Sequence, residues 1–486
     1  MASNRQNFIF FFPDEMRAES LACYGHPVVQ TPNLDRFAKE GVRFDQCHVQ
    51  HTVCSPSRCS LMTGWYPHTA GHRTLWHLLR PHEPSLFRYL QKAGYQIKWY
   101  GKNDLYAPEY LRELGDVSSS GKGRQPDAPA YSARNPYKAE DPNYYSFLYE
   151  PNGSADGTET AIKIGKAAQF LKSEEAKEKP FFLFLPTSMP HPPYAAPEPF
   201  HSMYNPDELP DLRPPVVDGK PEFYRLIRQY RNLEGQTDLL KKIQAVYLGM
   251  ISHVDDQFGK LLKALDESGL ADSTTVIVAS DHGDWAGDYG LVEKWPSGLD
   301  DTLTRVPLII RSPGFKQGHT VNEPVELFDI MATVLDLAEI EAEHTHFARS
   351  LVPQLEGKPG DPNRAVFAEG GYDLQEPHCF EGRPDRLFNG VPRDASNIYY
   401  PKGKLQQDVP HSVCRSAMIR TLDYKLVRRT ADVHELYDLR NDPQELNNVY
   451  GKEQYRTVQL ELESRLLDWY IRTSDSVPFH EDPRGF

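Results

Sequence analysis

The sequence predicts an α/β fold: a large mixed β-sheet sandwiched by helices, with a smaller C-terminal domain built on a short antiparallel sheet and a terminal helix. Three observations carry this expectation. Short continuous apolar runs alternate with amphipathic segments of helical period, the pattern of buried strands with helices on both faces. From about residue 376 the texture changes to short strand-like segments separated by turns. A last helical stretch closes the chain.

Taken in order, "NFIFFF" ends at Pro13 and reads as a buried strand. "TPNLDRFAKEGVRF" reads as a helix: Thr31 and Pro32 open it, Leu34 and Phe37 share a face, and Gly41 stops it. "EPSLFRYLQKAGYQIKWYGK" repeats the theme, a helix ending at Gly94 and then the strand "QIKWY". Next come a helix over "TETAIKIGKAAQFLKS", a strand "PFFLFLP" and a long helix around "LLKKIQAVYLGMISHVDDQFGKLLKALDESG". The strands "TTVIVASD" and "VPLIIRSPG" complete the alternation. Residues 106–157 show little periodicity and are too long for an ordinary connection, so a substrate-facing insertion is expected there. The large domain is expected over 1–375 and the smaller α+β subdomain over 376–486. The latter holds the short strands "AMIRT", "YKLVRR" and "HELYDL" and the helix "EQYRTVQLELESRLLDWYIRT".

With 486 residues, the chain suits one large α/β domain plus an appendage. Hydrophobic residues make up 39% and charged residues 25%, enough for a core under a solvated surface. The net charge of −14 disfavours a nucleic-acid binder, which needs a basic face. It leaves room for anionic substrates, since a cationic pocket can sit in an acidic surface. The only apolar run near the start, Phe8 to Phe12, is far shorter than a signal sequence, and nothing approaches the ~20 apolar residues of a membrane span. The expectation is a soluble, cytoplasmic protein with no membrane partner. Cys23, Cys47, Cys54, Cys59, Cys379 and Cys414 form neither a CxxC metal pattern nor a disulfide frame, which fits reduced thiols. Homo-oligomerisation is compatible with the sequence.

The residues just past the strands are informative. After "FIFFFP" come Asp14 and Glu15; after "QIKWYG", Lys102; after "FFLFLPTSMP", His191; after "TVIVAS", Asp281 and His282. One acid after a strand is an ordinary turn residue. Four strand ends that each deliver an ionisable group argue for a composed site, because ligands collect at the carboxyl ends of strands in such sheets.

The stretch "HTVCSPSRCSLMTG" puts Cys54 two residues before Pro56 and four before Arg58. An ordinary nucleophilic cysteine wants a histidine beside it and a depressed pKa. This string is more specific. It resembles the C-x-P-S-R plus L-T-G signature of the type I sulfatases, in the alkaline phosphatase superfamily. The resemblance extends through "TPNLDRFAKEGVRF", "GWYPHTAG", "GYQIKWYGK", "MPHPPY", "SDHGD", "RVPLIIRSPG" and "YKLVRR…ELYDLRNDPQELNNV". It spans the chain in order and is weakest over 106–157.

The resemblance implies that a formylglycine-generating or maturase enzyme oxidises Cys54 to formylglycine, whose hydrated aldehyde is the nucleophile. A thiolate would leave a stable thiosulfate-type ester. A gem-diol attacks sulfur with one hydroxyl and expels sulfate with the other by collapsing to the aldehyde. The family's metal ligands fall at Asp14, Glu15, Asp281 and His282, beside residue 54. Their oxygen-rich character suits Ca²⁺ or Mg²⁺ better than Zn²⁺. The ion would lower the diol pKa and hold a sulfate oxygen. Arg58 lies one turn from residue 54 if a helix starts there, and its fork can hold the diol and a ligating carboxylate. Lys102 and Lys294 match the sulfate-binding lysines, and His191 the histidine near the leaving group, a candidate general acid.

The chain departs from the family's pattern in places. Glu15 stands where Asp is usual, and His282 where Asn is common. Asp104 stands two residues after Lys102, where the family usually carries histidine in "GKWH". Either Asp104 is the base that regenerates the aldehyde, or it binds a cationic or hydroxyl part of the substrate, or His68, His72 or His77 fills the gap. The reading taken forward is a sulfuric ester hydrolase of arylsulfatase type, acting on a small aryl, alkyl or sugar sulfate. Pocket walls are expected from the 106–157 insertion, the segment after His191 and "GGYDLQEPHCF" at 370–380. The alternatives are a phosphonate or phosphate diester hydrolase of the same superfamily, and a silent relative that binds anionic ligands with Cys54 unmodified.

Overall fold

The first apolar run forms β1 (Asn7–Pro13), buried along its whole length. The structure, a computed structural model, describes residues 5–111, 113–119, 131–215, 218–376, 379–381, 394–481 and 483–484. Around β1 gather β2 (Val42–His48), β3 (Gln96–Gly101) and β4 (Asp116–Ser119). A separate antiparallel pair, β5 (Ser132–Arg134) and β6 (Glu150–Asn152), comes next. The main sheet continues with β7 (Phe181–Thr187), β8 (Thr274–Ala279), β9 (Arg305–Arg311), β10 (His319–Val321) and β11 (Val325–Glu326). Its order is β10-β2-β9-β8-β1-β7-β3-β4, with β11 also on β2. The run β8-β1-β7-β3-β4 is parallel, and β9 is antiparallel to both β8 and β2, so the sheet is mixed.

Alternation along the central strands explains their continuous apolar sequence. Ile9, Phe11, Leu183, Leu185, Val276 and Val278 face one layer, covered by the helices Glu159–Leu171 and Thr237–Ser268. Phe8, Phe10, Phe12, Phe182, Phe184 and Ile277 face the other, with the helices Cys54–Thr63, Leu86–Lys92 and Asp329–Leu337. Each fully buried side chain of this size contributes roughly 1.5–3 kcal/mol. Thr158 and Ser85 cap their helices by accepting from Ala161 N and Arg88 N. Among the described residues no helix is long and apolar enough to cross a membrane.

A second sheet carries β12 (Val366–Gly370), β13 (Ser416–Arg420), β14 (Tyr424–Arg429) and β15 (Glu435–Asp438), all antiparallel in that order. The terminal helix, Arg456–Thr473, lays Leu462, Leu466 and Trp469 against its Ile419, Leu426 and Leu436.

Three details differ from expectation. The small sheet begins before residue 376, because β12 pairs along its whole length with β13. The start of the 106–157 segment carries a strand: Asp116–Ser119 extends the main sheet beside β3, and Tyr100 Oη donates to Asp116 (2.7 Å). The middle of that segment, 120–130, lies outside the described residues. The strand β2 is a further finding, hidden in sequence by its polar residues Arg43, Asp45 and Gln46.

Buried charges join the two sheets. Lys425, with no exposed side-chain surface, pairs with Asp301 (2.6 Å) and Glu445 and donates to Leu299 O (2.9 Å). Arg429 pairs with Glu435 (2.6 Å) and donates to Ser297 O (2.7 Å). Both fix the loop after Lys294. Replacing Lys425 by Met takes its ion-pair partner from the buried Glu445, while Asp301 keeps Arg420 (3.1 Å). The expected loss is about 3–5 kcal/mol of stability, read as a lower unfolding midpoint in urea. A wild-type midpoint would contradict this account of the junction.

Candidate active site

The adjacent parallel strands β8, β1, β7 and β3 end at one edge of the sheet, about 4.8 Å apart from strand to strand. The residues just past those ends are Asp281 and His282, Asp14 and Glu15, His191, and Lys102. Topology alone therefore brings together four groups that are far apart in sequence. Close backbone approach makes this possible. At Gly101 (φ 145°) a Cβ would lie 2.0 Å from Pro186 O, and the turn lets Lys102 N donate to that oxygen (2.7 Å). At Gly283 a Cβ would meet Thr302 O at 1.9 Å.

Cys54 is the first residue of the helix Cys54–Thr63, after an extended Val53. Ser57 Oγ donates to Asp281 O (2.6 Å) and ties this helix to the end of β8. One turn from Cys54, Arg58 is buried and lies over the Phe12 ring (5.2 Å). Its Nε donates to Asp281 Oδ2 (2.9 Å) and its Nη2 to Asp14 Oδ2 (2.8 Å). Its Nη1 is buried without a partner among the described residues.

The Cys54 sulfur lies 3.2 Å from His282 Nε2, 3.7 Å from Asp14 Oδ1 and 3.8 Å from Lys102 Nζ. Burial, with Asp14 beside it, pushes the thiol well above its ordinary range, against the pull of Lys102 and Lys294. Such a thiol is a poor thiolate nucleophile.

Asp14, Cys54, Asp281 and His282 each offer a ligand atom, all within 4.8 Å of one another and all buried. His282 Nδ1 donates to Gly283 O (2.9 Å), which turns the Nε2 lone pair toward Cys54, Asp14 and Asp281. Burial lowers the His282 pKa, keeping that lone pair free. Burial opposes ionisation of Asp14, but Lys102 and Arg58 outweigh it and hold the carboxyl well below its usual range. Two carboxylates and an oriented neutral imidazole fit a divalent cation.

Glu15 is placed differently from the expected fourth ligand. Its φ of 63° turns the side chain to the Lys294 side, where Nζ donates to Oε1 (2.6 Å). It falls instead in a second group with Asp14 and His191, and its Oε2 is buried without a partner among the described residues. The left-handed backbone costs on the order of 1 kcal/mol, and Tyr247 Oη offsets part of it by donating to Glu15 O (2.6 Å).

Lys294 also donates to His191 Nε2 (3.2 Å), while His191 Nδ1 donates to Pro192 O (2.6 Å). Both ring nitrogens are thereby assigned. Burial, with Lys294 and Lys102 nearby, holds the His191 pKa well below its usual value. In this arrangement His191 Nε2 faces the Lys294 ammonium, with Glu15 Oε2 3.6 Å away. Burial would lower the Lys294 pKa, but Glu15 leads the charges that hold it well above its usual range.

Lys102 donates to Asp14 Oδ2 (2.6 Å) and pairs with Asp104 Oδ2 (2.9 Å). Asp104 is thus the counter-ion of Lys102; burial opposes its charge, and Lys102 and Arg58 overcome that and lower its pKa. The three alternative histidines have work elsewhere. His68 bonds Glu369 (2.6 Å) and Thr473 (2.9 Å), His72 bonds His77 O (2.9 Å), and His77 meets Thr74 (3.2 Å).

Several residues of the site had no signal strong enough to single them out in sequence. Glu293, at φ 64°, pairs with Lys402 (3.0 Å), Arg231 (3.3 Å) and Lys294 (3.6 Å). Its partners come from 62 and 109 residues away, so only its place beside Lys294 pointed to it. Asp284 accepts from Tyr194 Oη (2.7 Å). Of the expected wall at 370–380, Tyr372, Cys379 and Phe380 are buried in an apolar cluster with Trp295, while Leu374 and Gln375 are exposed.

Comparison with known proteins agrees with this geometry. The Sulfatase family profile matches residues 6–340, and that of the N-sulphoglucosamine sulphohydrolase C-terminal region matches 392–471. The multifunctional alkaline phosphatase superfamily protein PehA of Trinickia caryophylli is 27% identical, covering 98% of this chain and 96% of that protein. The N-acetylglucosamine-6-O-sulfatase of Bacteroides thetaiotaomicron is also 27% identical, over 98% of this chain and 88% of its own. The crystal structure of a phosphonate monoester hydrolase of Agrobacterium radiobacter shares the fold, with a TM-score of 0.79 at 24% identity over 96% of each chain. With the family profile covering well over half of its length and the signature cysteine at the meeting point of four strand ends, this chain belongs to the sulfatase family of the alkaline phosphatase superfamily.

Proposed function

We propose that the chain is a sulfuric ester hydrolase acting on small sulfate monoesters, aryl sulfates among them, with residue 54 as the nucleophile after conversion to formylglycine. The observation that carries this is the gathering of Asp14, Asp281 and His282 around residue 54, with Lys102 3.8 Å from its sulfur and the buried Lys294 within electrostatic reach. A Ca²⁺ or Mg²⁺ ion held by Asp14, Asp281 and His282 would supply positive charge for an acidified nucleophile and a sulfate oxygen.

The chain's own groups divide the remaining work. Arg58 fixes both carboxylates. Lys102 and Lys294 flank the place of a sulfate group, where charge shifts onto oxygen as the ester bond breaks. Lys294, backed by Glu15 and His191, is placed to give a proton to the leaving alkoxide. Asp104 keeps Lys102 in place through the ion pair. Sugar sulfates are a further substrate class, supported by the relative named as an N-acetylglucosamine-6-O-sulfatase. The likeness to PehA and to a phosphonate monoester hydrolase favours a secondary activity on phosphonate or phosphate esters through the same residues.

Cys54→Ala is expected to abolish hydrolysis of 4-nitrophenyl sulfate, while Cys54→Ser accumulates a sulfated enzyme visible by intact mass, because one hydroxyl offers no elimination step. Near-normal turnover by Cys54→Ala would contradict the mechanism.

Asp104→Asn loosens Lys102, so kcat/KM should fall about tenfold with every sulfate ester tested, with single-phase kinetics. A burst before slow turnover would instead assign Asp104 the base role. A loss confined to one substrate would make it a substrate contact.

A further inference from the structure

Buried arginines in this molecule are, with one exception, answered by carboxylates. Seven arginines are buried among the described residues, and six form ion pairs at 2.6–3.3 Å: Arg17 with Asp288, Arg58 with Asp14, Arg231 with Glu293, Arg364 with Asp329, Arg420 with Asp301 and Arg429 with Glu435. Arg228, only 6% exposed, is the exception. It pairs with no carboxylate of the described residues, and its side chain makes one hydrogen bond to them, from Nη1 to Tyr289 O (3.0 Å). Nε and Nη2 are left unused. A cation withdrawn from water without a counter-ion is costly to keep, and burial lowers the Arg228 pKa accordingly.

Arg228 lines a cavity of about 520 Å³, and none of the residues placed in the catalytic site lines it. Gly290 (φ 73°) gives the arginine stem its room: a Cβ there would lie 2.7 Å from Arg228 Cδ and 3.3 Å from Pro215 Cβ. Leu212, Pro214, Pro215 and Leu240 supply apolar wall. Gln236 and Thr237 bring the start of the 32-residue helix Thr237–Ser268 to the same cavity. The first bond of that helix runs from Leu240 N to Gln236 O (3.0 Å), and Gln236 gives no side-chain cap. The N–H groups of Thr237, Asp238 and Leu239 therefore have no acceptor within the helix, at its positive end. Of the two carboxylates on the rim, Asp211 faces Lys241 (3.7 Å), and the exposed Glu234 forms no ion pair with Arg228.

We infer that this cavity is a second binding site, separate from the catalytic one, for a small amphipathic organic anion whose oxyanion head meets Arg228 and the helix start and whose apolar body lies against Leu212, Pro214, Pro215 and Leu240. Two independent features call for the head: a buried guanidinium with two unused nitrogens and no counter-ion, and free N–H groups at a helix N-terminus. The apolar wall calls for the body, and the volume suits a small organic molecule. The loop that carries Gly287 and Gly290 into the cavity wall runs on to Glu293 and Lys294, so an occupant would rest on the segment that leads to the catalytic lysine. The site does not depend on the chemistry at residue 54.

The test is calorimetric titration of the full chain at low ionic strength with hexanoate and with hexanesulfonate, neither of which is an ester, and with hexanol as the neutral analogue. At least one of the two anions should bind once per chain with Kd below about 1 mM, and hexanol should not bind measurably. Arg228→Met should weaken the anion at least about tenfold. Gln236→Glu, an isosteric change at a partly exposed position, puts a carboxylate at the helix start and should weaken it similarly. Lys102→Ala, in the catalytic site, should leave the affinity within about twofold, and unfolding midpoints check that each variant is folded. Should Arg228→Met fail to fold, Gln236→Glu decides. No binding of either anion, hexanol binding as tightly as the anions, or undiminished affinity in a folded Arg228→Met or in Gln236→Glu would overturn the assignment. Loss of binding in Lys102→Ala would place the anion in the catalytic site and overturn it equally.

Discussion

Asp14 divides its two oxygens between the two halves of the site, and the rest of the arrangement depends on that division. Oδ2 takes Arg58 and Lys102, while Oδ1 faces Cys54 and His282. A buried carboxylate without such partners would cost several kcal/mol. With them, it stays charged in the interior and holds an arginine, a lysine and the nucleophile position around one point. Asp281 repeats the device from the neighbouring strand, accepting Arg58 Nε on Oδ2. The arginine thus bridges β1 and β8 through their carboxyl-end acids, and the Cys54–Thr63 helix is locked in register with the sheet.

The charged layer extends outward from this centre. Lys294 connects Glu15 and His191 on one side with Glu293 on the other. Glu293 gathers Arg231 and Lys402 from two further segments of the chain. The loop after Lys294 is then fastened to the small sheet through Lys425 and Arg429. The small domain is accordingly more than an appendage: its buried ion pairs position the loop that begins at Lys294. Left-handed backbone at Glu15 and Glu293 brackets this chain of contacts, local strain placed where two carboxylates must be aimed at one ammonium.

Much of this was legible in the sequence, for physical reasons that can be named. Continuous apolar strands such as "NFIFFF" and "PFFLFLP" announce a sheet covered on both faces, and the residue after each strand must lie at its carboxyl end. That is why Asp14, Lys102, His191 and Asp281 could be grouped from strand order alone. The strand Val42–His48 escaped because its polar positions interrupt the apolar pattern at the sheet's outer half. Strand β12 escaped because its partner lies 50 residues on, and antiparallel pairing over that distance leaves no local mark. The orientation of Glu15 and the tautomer of His191 depend on partners from other strands, and no spacing rule carries that information.

The central claim is that residue 54 works as an oxidised cysteine inside a cage of cation-binding groups. Mass spectrometry of the tryptic peptide spanning 44–58, taken from a preparation with measured sulfate-ester turnover, tests it most directly. The account predicts a peptide in which the CH₂–SH group of residue 54 has become an aldehyde that reacts with a carbonyl reagent. A fully active preparation whose peptide carries an intact, alkylatable thiol at Cys54 would contradict it.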